Sequence, residues 1–572
     1  MKAATHPREA NALLFANFRQ AMTWVHTWFG LTLGFVLMAC FFFGTLAVFD
    51  REIDRWAMPA TRFAPQPMPS FDTVLRPAYE ALQARAEADA GSLNSGTGAG
   101  TLQAQRLWAY ATHRDPVLSI GAVFAAPEAT QPARSERASL DPRSGALLPG
   151  GALAIGSDWF YPMHYHLNWP WLNLGYWLVG LAGVVMLVAL VTGVVMHRKV
   201  FREFFTFRPA KHVQRSTLDV HNMTGVLALP FHVFFAFTGV LIFAGWLYFP
   251  VSATLLQPLG ERHAAQEAAT ALPPQRAGVA APLASVDAMV QEARRRWAAR
   301  GMPGEVGFLD LYHPGDANGY VSISRAGSDR VALLGQAIHF KASTGEVLRE
   351  DPPPSAVAST HEYLSGLHLA QFRHWLLRWL YVLGGLMGCV CIATGFIFFV
   401  EKRKKQHAKS GRQGCRVVDA LAVSTVTGMA LAAAGMLVAN RLLPETLADK
   451  GGWEKAAFWA VWALAAAHAF WRGAPVAQAR ISPAWREQCW ALAALAVAAA
   501  ALNGLTTGDH LIKTVFTHPY WPVAGVDLGL LATACLAAVA ARRLGRREAR
   551  QAAPATPAGA ATPTQRTEAA HG

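Results

Sequence analysis

Four stretches of this chain, residues 24–49, 169–196, 220–250 and 379–400, contain no Asp, Glu, Lys or Arg. A helix of about 20 apolar residues crosses the hydrocarbon core of a bilayer, and every one of the four reaches that length. Lipid offers no hydrogen bonds, so each backbone N–H and C=O there must be paired within the chain, which makes long apolar runs helical. After residue 416 come four weaker, Ala-rich candidates, roughly 417–439, 455–471, 488–507 and 523–541, two of which contain an Asp (Asp419, Asp527). The reading is an all-α polytopic membrane bundle of about eight transmembrane helices: 23–49, 168–197, 219–250, 368–401 and a four-helix extension over 417–542. A hydrophobic content of 53% over 572 residues agrees, being too apolar for several ordinary soluble cores.

The formal charge of +14 invites a nucleic-acid reading, but its distribution excludes one. Arg198, Lys199, Arg202, Arg208, Lys211 and Arg215 crowd the short segment 198–218, and seven more Lys and Arg lie between Lys402 and Arg416. Clusters in short segments follow the positive-inside rule and place these ends in the cytoplasm. An even number of spans then puts the N-terminus (1–22) and the tail (543–572) there too. The stretch Leu37–Cys40 looks like a lipoprotein cleavage box, but the apolar run continues to Phe49, so the segment reads as an anchor. All six cysteines lie in or beside spans, which leaves no disulfide framework outside the membrane, and Cys389 and Cys391 read as small packing residues.

Residues 50–160 and 251–360 fall on the outer side, each long enough for an α+β domain. Each offers a helix-compatible stretch, β-rich runs and a turn, with Gly145 and Gly345 suited to the left-handed corner of a hairpin. The Ala-, Gly- and Pro-rich patches 89–101 and 264–282 read as flexible insertions, and the Pro-rich tail from 552 as disordered. The likeness continues into the membrane. A shift of 195 residues brings His26 onto His221, Gly30 onto Gly225 and Gly44 onto Gly239, and a shift of 202 brings His166 onto His368, Thr192 onto Thr394 and Gly193 onto Gly395. Residues 24–200 and 219–402 are therefore two copies of one helix-domain-helix unit, with a pseudo-twofold axis expected along the membrane normal.

Under that axis the histidines form two pairs, His26 with His221 near the cytoplasmic face and His166 with His368 near the outer face. Two neutral imidazoles facing each other across a bundle supply both axial ligands of a six-coordinate b-type heme, so the sequence points to two heme b groups. His26 and His221 could instead be interfacial residues, and His166 and His368 could cap the junction between outer domain and span. His164 and His361 lie near enough to substitute. His232 has no duplicate, since Leu37 holds the equivalent position; on a straight helix it lies about 16 Å from His221 along the same face. It is an alternate ligand, or it bonds a carbonyl freed near Pro230.

The segments "VHTWFGL", "FFFGTLAVFDREIDRW", "VHNMTGVLALPFHVFFAFTGV", "LHLAQF", "ATGFIFFVEKRKK" and "STGEVL" resemble the PepSY-associated transmembrane family over about residues 20–405. That resemblance implies PepSY-like periplasmic domains between helix pairs in a bacterial inner membrane, a tie to iron acquisition and, from members similar to siderophore reductases, two b hemes on His26, His166, His221 and His368. The expected function is reduction of a periplasmic ferric chelate such as a ferric siderophore. No glycine-rich dinucleotide fingerprint follows a strand on the cytoplasmic side, so the electron donor would be a quinol or a separate flavoprotein. The competing readings are a non-redox peptide-binding or protease-regulating membrane protein and a transport accessory. Transport usually leaves charges within the membrane path, and the first four spans have none.

Overall fold

The computed structural model describes residues 7–93, 102–111, 115–125, 133–148, 153–197, 208, 212–244, 261, 272–473 and 482–552. The first and third apolar runs do not fold as straight rods. Helix α1 (Pro7–Thr32) breaks at Leu33 into α2 (Gly34–Ala47), turning by 61°. In the second copy α7 (Val213–Leu227) breaks at Ala228 into α8 (Leu229–Phe243), turning by 65°. The shift of 195 that aligns the copies also aligns the breaks. Pro230, near the start of α8, has no N–H to donate and its ring crowds the preceding turn, which accounts for the second break. The bend corrects one expectation: His221 and His232 lie on different halves of a kinked pair, not on one face of a straight helix.

Each copy closes with a long helix, α6 (Leu174–Met196) in the first and α11 (Trp375–Ser410) in the second. The inner halves pack within their own copy, α1 on α6 and α7 on α11, while the outer halves cross over, α2 onto α11 and α8 onto α6. Small residues permit the close crossings: Gly388 leaves no room for a Cβ against the Phe41 ring, and a Cβ on Gly183 would lie 3.1 Å from Val240.

The extension forms α12 (Gly414–Leu442), α13 (Lys450–Trp471), α14 (Ala484–Thr507) and α15 (Trp521–Ala552). Gly428 and Gly435 of α12 seat Ala465 and Val461 of α13. By length and composition, five helices among the described residues can cross a membrane, or up to seven if each bent pair is one span. Helix α13, the sixth of the eight candidates in chain order, is not among them; Lys450, Glu454 and Lys455 occupy its first turns. Extension and core are latched at the outer end of the first span, where α3 (Asp50–Ala57) lies. Trp56 donates to Asp527 at 2.7 Å, Asn503 donates to the other oxygen of Asp527 at 3.0 Å, and Arg62 reaches Asn503 at 2.8 Å and Asp509 at 2.6 Å.

The two outer segments share one sheet. The first contributes α4 (Arg76–Leu93), β1 (Ala104–Tyr110), β2 (Leu118–Phe124) and β3 (Arg134–Leu140); the second contributes α9 (Val286–Ala299), β4 (Val306–Tyr312), β5 (Tyr320–Arg325), β6 (Ala337–Lys341) and β7 (Val347–Glu350). The strands run in the order β3-β2-β1-β4-β5-β6-β7, all antiparallel, and β1 joins β4 at the centre with Trp108 opposite Asp310. One face packs on α4 and α9 through Leu75, Leu82, Ile120, Met289, Trp297 and Ile323. The helix starts are tied reciprocally: Ser70 and the Phe71 amide donate to Asp287, while Ser285 and the Asp287 amide donate to Asp72. Gly145 (φ 73°) and Gly345 (φ 77°) take the left-handed corners expected of them. The patch 272–282 is held down at Asp316, which accepts from the Ala277 and Gly278 amides, so it is not the loose insertion expected. Expectations for 94–101, 198–207, 245–250, 264–271 and the tail from 553 lie outside the described residues.

Candidate functional site: two histidine pairs

His26 on α1 and His221 on α7 face each other with ring centres 6.2 Å apart and planes at 85°. His26 Nδ1 lies 2.9 Å from the Ala189 carbonyl of α6, and His221 Nδ1 lies 2.8 Å from the Cys391 carbonyl of α11. A carbonyl only accepts, so both rings carry the proton on Nδ1 and leave the Nε2 lone pair free. The shift of 202 takes Ala189 to Cys391, and the Thr192 and Thr394 hydroxyls donate to those same carbonyls at 3.1 and 3.0 Å. The duplication therefore reaches the groups that orient the rings. Behind each ring stands a glycine of the neighbouring helix: a Cβ on Gly193 would lie 3.4 Å from His26, and one on Gly395 would lie 3.3 Å from His221.

The outer pair is His368 with His164, not with His166, at 5.9 Å between ring centres and 28° between planes. His164 belongs to α5 (Tyr161–His166) and His368 to α10 (Ala356–Leu369). His164 Nδ1 bonds the Cys40 carbonyl at 2.8 Å. His368 Nδ1 bonds Thr238 Oγ1 at 2.8 Å; that hydroxyl donates its own hydrogen to the Phe234 carbonyl at 2.7 Å and so accepts from the ring. Here too each ring is backed by glycine, His164 by Gly44 and His368 by Gly239, where a Cβ would lie 2.6 and 3.0 Å away.

His166 is displaced because the connection from outer helix to span is longer in the first copy. Leu167–Asn173 joins α5 to α6 in seven residues, and Ala370–His374 joins α10 to α11 in five. Two extra residues change the local offset from 202 to 204, which selects His164. The His166 ring instead packs against Tyr165 and Tyr176 at 4.6 and 5.0 Å, with Nδ1 buried and without a partner. His361 is exposed on α10 and joins neither pair. His232 is buried on α8 outside both pairs, its ring 5.4 Å from Phe41, and no side-chain hydrogen bond among the described residues joins it to a carbonyl near Pro230.

The outer pair borders a cavity of about 830 Å³ between the spans and the sheet, whose lining includes Gly44, Gly239 and Phe243 below and Phe308, Arg325 and Arg330 above. Among the described residues no three His, Cys, Asp or Glu converge as for a bare metal ion. Two-histidine sites instead suit a metal whose remaining positions a macrocycle fills. The sequence carried no side-chain signal for the acceptors Ala189, Cys391 and Cys40, because each acts through its carbonyl; only the repeat offsets mark the first two as equivalent.

In comparison with known proteins, residues 23–402, about two thirds of the chain, match the model of the PepSY-associated TM region. An uncharacterized protein of Pseudomonas aeruginosa is 28% identical over 302 residues, covering 50% of this chain and 73% of that one. The apolar helices and this match describe a multi-pass membrane protein, and the chain belongs to the PepSY-associated TM region family.

Proposed function

We propose that this protein is a transmembrane electron carrier that holds one heme b between His26 and His221 and a second between His164 and His368, and that reduces a ferric chelate on the outer side. The observation that carries the reading is a fourfold repetition: a ring whose Nδ1–H is committed to a fixed acceptor, opposite a second such ring, with a glycine behind it. Two imidazoles bound to opposite sides of one metal would have ring centres about 6.2 Å apart, from metal–nitrogen bonds of about 2.0 Å and about 1.1 Å from nitrogen to ring centre. The pairs here stand at 6.2 and 5.9 Å. The outer cavity, about 830 Å³, falls in the range of about 300–1,000 Å³ common for cofactor sites.

The chain's own groups do the tuning. Donation from Nδ1 makes each Nε2 a stronger ligand and fixes the ring's orientation, and burial sets the dielectric. When bound, heme supplies one-electron chemistry. With the basic segments in the cytoplasm of a bacterial inner membrane, His26 and His221 would hold the group that accepts electrons from a quinol or a separate flavoprotein, and His164 and His368 the group that would pass them on beneath the periplasmic sheet. Arg330, exposed at the cavity mouth, favours an anionic chelate. A ferric siderophore fits the chemistry, because hard oxygen ligands hold Fe(II) far more weakly than Fe(III), so one electron releases the metal.

The test is a dithionite-reduced minus oxidised spectrum of the purified protein with heme stoichiometry. Two low-spin b hemes per chain are expected. A colourless preparation from cells supplied with heme precursor overturns the reading.

A further inference from the structure

His232 belongs to neither pair, yet it is 1% exposed and its Nε2 has no hydrogen-bond partner. Three elements place it between the two pairs. On α11, Cys391 holds His221 through its carbonyl, and Gly388, three residues earlier on the same side of that helix, lies flat against the Phe41 ring. On α2, Phe41 directly follows Cys40, whose carbonyl holds His164. On α8, His232 lies six residues before Thr238, which holds His368, and its ring meets the Phe41 ring edge-on at 5.4 Å and 83°. A run of bonds and close contacts thus leads from His221 through Cys391, Gly388, Phe41 and Cys40 to His164, with His232 packed at its middle.

We infer that Phe41 and His232 are positioning residues that couple the two histidine pairs. The inference rests on the heme reading above. In the transfer, one electron leaves the inner centre, which is oxidised, and arrives at the outer centre, which is reduced; no bond forms or breaks. Electron tunnelling decays steeply across empty gaps and less steeply through bonded and packed atoms. The Phe41 ring fills the gap that Gly388 leaves open. His232 buttresses that ring and adds an unpaired dipole in a low-dielectric interior, where a fixed dipole acts strongly on any nearby charge.

The experiment uses the full-length protein in detergent, with heme stoichiometry, redox titration and the rate of electron equilibration between the two centres after rapid photoreduction. F41L is expected to keep both hemes and slow equilibration several-fold, and F41Y to restore it. H232F is expected to keep both hemes while changing the separation of their midpoint potentials. Loss of a heme from H232F would make His232 a ligand, and loss of a heme from F41L would make Phe41 a wall of the site; either overturns the coupling role, as does an unchanged rate in F41L. A wild-type protein without heme overturns the function proposed above together with this inference, whereas two hemes with an unchanged rate in F41L overturn the inference alone.

Discussion

A glycine behind each pairing ring leaves little tolerance for change. A Cβ at Gly44 would lie 2.6 Å from His164, whereas one at Gly193 would stand 3.4 Å from His26, an ordinary contact. G44V is therefore expected to lose the outer heme and keep the inner one, and G193A to keep both, as read by heme content and spectrum. H164A is expected to lose the outer heme and H166A to retain it, which tests the corrected pairing directly. Asp54 on α3 is fully buried, accepts from the Gly156 and Ser157 amides at 2.7 and 3.1 Å through one oxygen, and has its other oxygen without a hydrogen bond, 4.0 Å from Arg51. Burial pushes its pKa up to about 7. A carboxyl whose folded pKa exceeds its unfolded value binds more protons when folded, so stability falls as pH rises from about 4 to about 7, by up to about 1.4 kcal/mol per unit. D54N is expected to flatten that slope in pH-dependent thermal unfolding. At this scale the sequence showed His26 and His221 because no insertion separates them from their aligned spans. It offered His164 only as an alternate to His166 because a two-residue difference in a connecting turn leaves no mark on the aligned helix residues.

At the scale of elements, the outer latch decides how the extension is held. Arg62 is nearly buried beside Asp509 and Asn503, and taking away one partner of a buried ion pair strands the other. R62A is expected to destabilise the protein by about 3–5 kcal/mol, seen as a lower unfolding temperature in detergent, with R62K recovering only part because it cannot reach both partners. The spans themselves were legible as charge-free runs, and Asp527 stood out as a carboxylate within one. Its partner Trp56 could not be read, since 471 residues separate them and nothing in a lone Trp names its acceptor. The break at Ala228 had a visible cause in Pro230, whereas the matching break at Leu33 has no proline and shows itself only through the repeat.

At the scale of the whole molecule, the outer segments were expected as a domain each, and the sequence did reveal their helix, strands and turns. It did not reveal that β1 and β4 pair, because nothing in a strand's own residues names which of several antiparallel edges it will meet. Each half alone would present that edge to water and would lose the carboxylate that the other half lends to its helix start, Asp287 to Ser70 and the Phe71 amide or Asp72 to Ser285. Residues 66–148 and 272–350 expressed singly are thus expected to show no cooperative unfolding by circular dichroism, and a linked pair to show one transition. The crossed partnership of α2 with α11 and α8 with α6 bears on synthesis as well. As the chain enters the bilayer, the first copy is inserted before its final neighbour exists, so α2 must wait through some three hundred further residues for the surface it will rest against. The repeat cannot mature as two finished beads on a string; it assembles as a single clasp, closed only when the fourth strong apolar segment arrives.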